Sequence, residues 1–159
     1  MKGLRTSLLL CALVAAGVTP TADAATATTI LPVTATVLAT CIVVATPLIF
    51  GNYSAAQVDA QAALTVTCTL GTPFVVRLDA GAGATIAARQ LSFGANTLAY
   101  SLYRDAARTQ NWGQTDGTDT ASGTGALLPV ILNVYGRIPA GQFSAPGAYI
   151  DTVGVTVVY

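Results

Sequence analysis

Short runs of alternating polar and apolar residues, each cut off by Gly, Pro, Asn or Asp, make up most of this chain. The clearest is ALTVTCT, Ala63 to Thr69. Leu64, Val66 and Cys68 fall on one side of it, and Thr65, Thr67 and Thr69 on the other. A period of two with β-branched residues is the pattern of a strand that buries one face. Similar runs cover Ala27 to Leu38, Cys41 to Ala45, Leu48 to Phe50, Phe74 to Ala80, Thr97 to Arg104, Leu127 to Ile138 and Tyr149 to Tyr159. Pro47 and the turn Gly71-Thr72-Pro73 break the series. No stretch combines the helical period with good caps. Seven or so short strands at this spacing predict an all-β fold, an immunoglobulin-like sandwich of two packed sheets. Gly113 to Gly125 reads as a loop or a weakly specified strand pair, within a single domain.

Residues 1–24 read as an export leader. Lys2 and Arg5 precede the apolar run Leu8 to Val18, and Ala22-Asp23-Ala24 fits a small-x-small cleavage site. The run is shorter than the roughly 20 residues a membrane span needs. Cys11 follows Leu10, whereas a lipid-attachment cysteine follows a small residue. Cleavage after Ala24 would leave about 135 residues with five arginines, six aspartates and no Lys, Glu or His. The formal charge is then −1. No basic patch exists to recruit nucleic acid or anionic lipid. So little charge with so much apolar content fits a surface covered in an assembly, with simple aggregation as the alternative.

Cys41 and Cys68 are the cysteines left beyond the leader. In an exported chain an even pair reads as one disulfide, with two separate thiols as the alternative. Closing that loop would stabilise the fold by roughly 3–4 kcal/mol. Nothing resembles Cys-x-x-Cys.

The residue inventory leaves little room for catalysis. Without His there is no Ser-His or Cys-His nucleophile and no histidine metal site. Without Glu, an acid–base pair would need two aspartates. Asp59, Asp79, Asp105, Asp116, Asp119 and Asp151 are scattered beside small residues, where Asp makes turns. Asp116 and Asp119 in TDGTDT could offer oxygens to Ca²⁺, but their spacing completes no known loop. GTGALLP and GAGATIA lack the Gly-Lys-Ser/Thr of a phosphate loop. Trp112 follows RDAARTQN in an expected loop and is the candidate for an exposed, adhesive contact. Packing is the commoner fate of such a ring. Neither enzyme activity, nor a cofactor, nor a metal is expected.

The stretch LAYSLYRDAARTQNWG, Leu98 to Gly113, resembles the signature of the spore coat protein U domain, which is shared with subunits of archaic chaperone–usher pili. CIVVATPLIFGNY, LTVTCTLGTPFVVRLDAG, VYGRIPAGQ and GAYIDTVGVTVVY resemble other blocks of that family, in order along the chain. The resemblance implies an incomplete immunoglobulin-like sandwich, lacking one strand, over residues 41–159. It also implies that residues 25–40 form an N-terminal donor strand for another copy. Within Thr26 to Thr40, Leu31, Val33, Ala35 and Val37 share one face, and Pro32, Thr34 and Thr36 the other. Pro32 donates no ladder bond, so firm insertion would begin at Val33. The groove receiving this strand is expected between the strand after Cys41 and the strand ending at Tyr159. The implied partners are identical or related subunits, a periplasmic chaperone and an outer-membrane usher. The implied role is a structural subunit of a surface fibre, exported through the periplasm and supporting adhesion and biofilm formation. A surface coat protein of the same family and a single-domain tip-associated subunit are the alternatives.

Overall fold

The computed structural model describes residues 23–159. All but the last two residues of the expected leader therefore lie outside the described residues. Two units divide the chain, one ending at Ala35 and the other running from Thr36 to Tyr159. Residues 23–40 have no regular secondary structure, so the run Ala27 to Leu38 is not a paired strand here.

Eight strands follow: β1 (Cys41–Ala45), β2 (Val58–Cys68), β3 (Pro73–Leu78), β4 (Arg89–Phe93), β5 (Asn96–Tyr103), β6 (Ala121–Thr124), β7 (Val130–Ile138) and β8 (Val155–Val158). They form a five-stranded sheet, β1-β2-β7-β5-β4, and a three-stranded sheet, β6-β3-β8. Every pairing is antiparallel. Among the described residues there is no helix.

The alternation in β2 does what its period requires. Ala62, Leu64, Val66 and Cys68 are buried, while the residues between them face outward. Phe74, Val76 and Leu78 of β3, Leu98, Tyr100 and Leu102 of β5, and Val134 and Ile138 of β7 complete the core. Cys41 and Cys68 lie opposite each other at the end of the β1–β2 ladder and are joined by the disulfide. Thr40 continues the pairing: its carbonyl accepts from the Thr69 N–H at 2.9 Å.

Further elements differ from expectation: of the run Tyr149 to Tyr159, the strand is Val155–Val158. Leu48 to Phe50 carries no ladder; it crosses β7 at Gly136, where a Cβ would come within 2.8 Å of the Phe50 ring and 2.9 Å of Leu48. β4 lacked a signal because its first residue is a buried arginine. β6 lies in the stretch read as loop or weak strand, and its Gly123 gives way to the Phe74 ring.

On the outer surface Arg137 forks onto Asp59 at 2.7 and 2.9 Å, and Arg108 approaches it at 3.5 Å. The Arg137 hydrogen bond, helped by the charge of Arg108 and opposed by slight burial, holds the Asp59 carboxyl below its usual range. A depressed carboxylate contributes stability above its unfolded value, near 3.8, and loses it as pH falls through the lower folded value. Asp59→Asn therefore flattens the acid limb of a stability–pH curve below about pH 4, by no more than about 1 kcal/mol for so open a pair. Urea midpoints at pH 3 and pH 6 check this; an unchanged difference between them rules it out.

Candidate functional site

Both sheets end on an open edge beside one another. β1 is the outer strand of the five-stranded sheet and β8 the outer strand of the other. No ladder joins the two among the described residues. Between them lies a cavity of about 200 Å³. One wall is Ala45, Thr46, Leu48 and Phe50, and the other is Asp151, Val153 and Val155. Leu64, Leu78, Leu102 and Val134 form an apolar floor. The cavity begins at Ala45 and Leu64, the end of the β1–β2 ladder away from the disulfide, and reaches Tyr100 and Asp151, where its lining turns polar. The Tyr100 hydroxyl donates to Asp151 Oδ2 at 2.6 Å. Burial, followed by the bond and charge of Asp151, pushes the Tyr100 hydroxyl well above its usual pKa, so it stays a donor.

The groove's position follows from local chemistry. β1 is short because Pro47 removes a donor, and the chain then swings across β7. Val153, Val155 and Val157 alternate inward, so the last strand presents apolar side chains to the core. Unpaired N–H and C=O groups along the free edges of β1 and β8 are what an added strand would use.

Of the candidate site residues, Cys41 and Cys68 are brought together as a disulfide. Leu31, Val33 and Val37 are exposed at 82%, 85% and 82%, and Ala35 is exposed too. Trp112 corrects its reading as an exposed contact. It is 1% exposed, its indole Nε1 donates to the Val76 carbonyl at 2.9 Å, and its N–H donates to the Leu102 carbonyl. The ring is a core wedge between the sheets, so it offers no adhesive surface.

The segment carrying Trp112 is held by its own polar residues. Asp105 accepts from the N–H groups of Thr109 and Gln110 and from the Thr109 hydroxyl. Arg104 donates to the carbonyls of Thr118 and Thr120. Asp116 pairs with Arg77, and Asp119 Oδ1 accepts from the Thr115 N–H at 2.6 Å. Asp119 thus serves the loop itself, and Asp116 ties it to β3. Among the described residues no three His, Cys, Asp or Glu side chains gather closely enough to hold a metal ion.

Fold and groove together define a two-sheet β-domain with one side left open. The spore coat protein U domain family matches residues 27–156, and the chain belongs to that family. It is 37% identical to Protein U of Myxococcus xanthus over 126 residues, which cover 69% of this chain and 70% of that protein. Its fold is similar to a chain in the crystal structure of a chaperone–tip adhesion subunit pre-assembly complex from archaic chaperone-usher Csu pili of Acinetobacter baumannii. That match has a TM-score of 0.57 and 22% identity, and covers 78% of this chain and 41% of the other.

Proposed function

We propose that this protein is a structural subunit of a surface fibre, assembling when residues 25–40 of one copy enter the groove of the next. The observation that carries the reading is the apolar groove between two unpaired edges, β1 and β8. A strand laid there would find ladder partners on both sides and an apolar floor below. Leu31, Val33, Ala35 and Val37 supply the side chains, and burying the larger ones contributes on the order of 1–3 kcal/mol each. Because the donor belongs to one copy and the groove to another, the contact is head to tail and does not close on itself.

An empty groove exposes apolar surface, so the subunit needs a holder before assembly. A periplasmic chaperone and an outer-membrane usher are the partners this requires, in keeping with the chaperone in the similar pilus complex. No catalytic role is assigned. A surface coat is the second reading, favoured by the 37% identity to Protein U. Both readings use the same groove and differ in the final assembly.

Deleting residues 25–40 tests the mechanism. The truncated chain is expected to lose all SDS-resistant multimers while keeping its fold. Val33→Asp, on the inserting face, should do the same, and Thr34→Asp, on the opposite face, should assemble at more than about half the unsubstituted level. Multimer ladders that persist after the deletion overturn the donor assignment.

A further inference from the structure

Most of one wall of the groove lies outside any ladder. Ile150 bridges to Ser92 beside the five-stranded sheet, with N–H to carbonyl bonds of 2.8 and 3.1 Å. Five residues later Val155 pairs with Leu78 in the other sheet. Residues 151–154 therefore switch sheets, and they include the wall residues Asp151 and Val153. An edge segment with so few ladder bonds should fray.

Two carboxylates supply what the ladder does not. Asp79 Oδ1 accepts from the Gly154 N–H and the Gly81 N–H, both at 2.8 Å. The Asp79 N–H in turn donates to the Gly154 carbonyl at 3.0 Å. Asp151 Oδ1 accepts from Ala82 and Thr152 at 2.8 and 2.7 Å, and its Oδ2 accepts from Tyr100. Glycine is required where these carboxylates meet backbone: a Cβ on Gly81 would strike Asp151, and one on Gly154 would strike Asp79.

Beneath both lies Arg89, fully buried. Its guanidinium donates to the carbonyls of Leu78, Asp79, Ile86 and Trp112 at 2.7–3.2 Å and hydrogen-bonds to no carboxylate. Burial lowers its pKa, while the charges of Asp79, Asp151 and Asp119 oppose that shift. A buried cation needs negative charge nearby. Asp79 and Asp151 meet that need while their oxygens hold the wall, which a neutral acceptor would do less well.

We propose that Asp79 and Asp151, anchored over the buried Arg89, are positioning residues that keep residues 151–154 as a preformed lip of the groove and thereby set how fast a strand is accepted. The second half of this statement rests on the donor-strand reading; the first half does not.

Amide hydrogen exchange on the full chain, paired with capture of a labelled synthetic peptide of residues 26–40, tests it. In Asp151→Ala the amides of Ala82 and Thr152 should exchange about tenfold faster, and in Asp79→Ala those of Gly81 and Gly154. Val66 and Val134, in the β2–β7 ladder, should be unchanged in both. Asp151→Asn, which keeps an acceptor oxygen but loses the charge, should recover only part of the protection. Tyr100→Phe removes a single bond to Asp151 and keeps the test open if an alanine variant does not fold; about threefold faster exchange at Ala82 is expected. Peptide association should slow about tenfold in Asp151→Ala with a smaller change in dissociation. Unchanged protection in every variant overturns the proposal. Lost protection with an unchanged association rate overturns its second half. Lost protection in a chain that captures no peptide even when unsubstituted upholds the lip and overturns the donor-strand reading.

Discussion

Trp112→Ala should lower the unfolding free energy by about 3–5 kcal/mol, the range for emptying a buried aromatic site. The ring is enclosed at 1% exposure, and its Nε1–H spans to the Val76 carbonyl of β3. Its main chain is equally committed: the N–H donates to Leu102 of β5, and the carbonyl accepts from Arg89. Truncation therefore opens a cavity and removes a hydrogen bond between an inter-sheet segment and β3. Trp112→Phe keeps much of the volume and loses only the donor, so it should cost less than half as much. Urea unfolding of the two variants beside the unsubstituted chain measures both. A tryptophan on an exposed loop would show a change within about 0.5 kcal/mol. A value that small for Trp112→Ala refutes the wedge role.

Removing the disulfide ranks next. Replacing Cys41 and Cys68 together by Ser should destabilise the domain by roughly 3–4 kcal/mol, because the two lie 27 residues apart and the freed chain gains that loop entropy. The loss is not spread evenly. β1 has a ladder on one side only, so its Cys41 end depends on the bond to Cys68. β2 keeps its long ladder with β7 regardless. Hydrogen exchange in the double variant should rise first at Ile42 and Val44, whose N–H groups face β2, ahead of β2 and β7. Denaturation midpoints of oxidised and reduced protein supply the energy. A difference below about 1 kcal/mol would show that β1 is held by packing alone.

The elements legible in the chain were those whose side chains alternate between core and solvent. β2, β3, β5 and β7 each bury every second residue, and that period is written directly in LTVTC, FVVRL, LAYSL and VILNVYGRI. β4 was not legible. RQLSF opens on an arginine, whose burial depends on carbonyls from Leu78, Asp79, Ile86 and Trp112, and these meet only after the chain has folded. β6, ASGT, carries no apolar alternation and is a strand because β3 offers it a ladder. In the sequence Asp79 and Asp151 have the surroundings of turn residues, and each does accept from a neighbouring N–H. Their second bonds, to Gly154 and Ala82, cross 75 and 69 residues of sequence and leave no local pattern.

The sequence by itself determined the class of fold, the strands with a buried face and the pairing of Cys41 with Cys68, because these follow from side-chain period and from counting reactive groups. Family membership could be read there too, in blocks such as LAYSLYRDAARTQNWG that keep their order along the chain. Only the tertiary structure decided that Trp112 points inward, that Arg89 is buried among carbonyls, and that an apolar groove stays open between β1 and β8. Each of these depends on which backbone groups from distant segments converge on one point, and that convergence exists only once both sheets are packed.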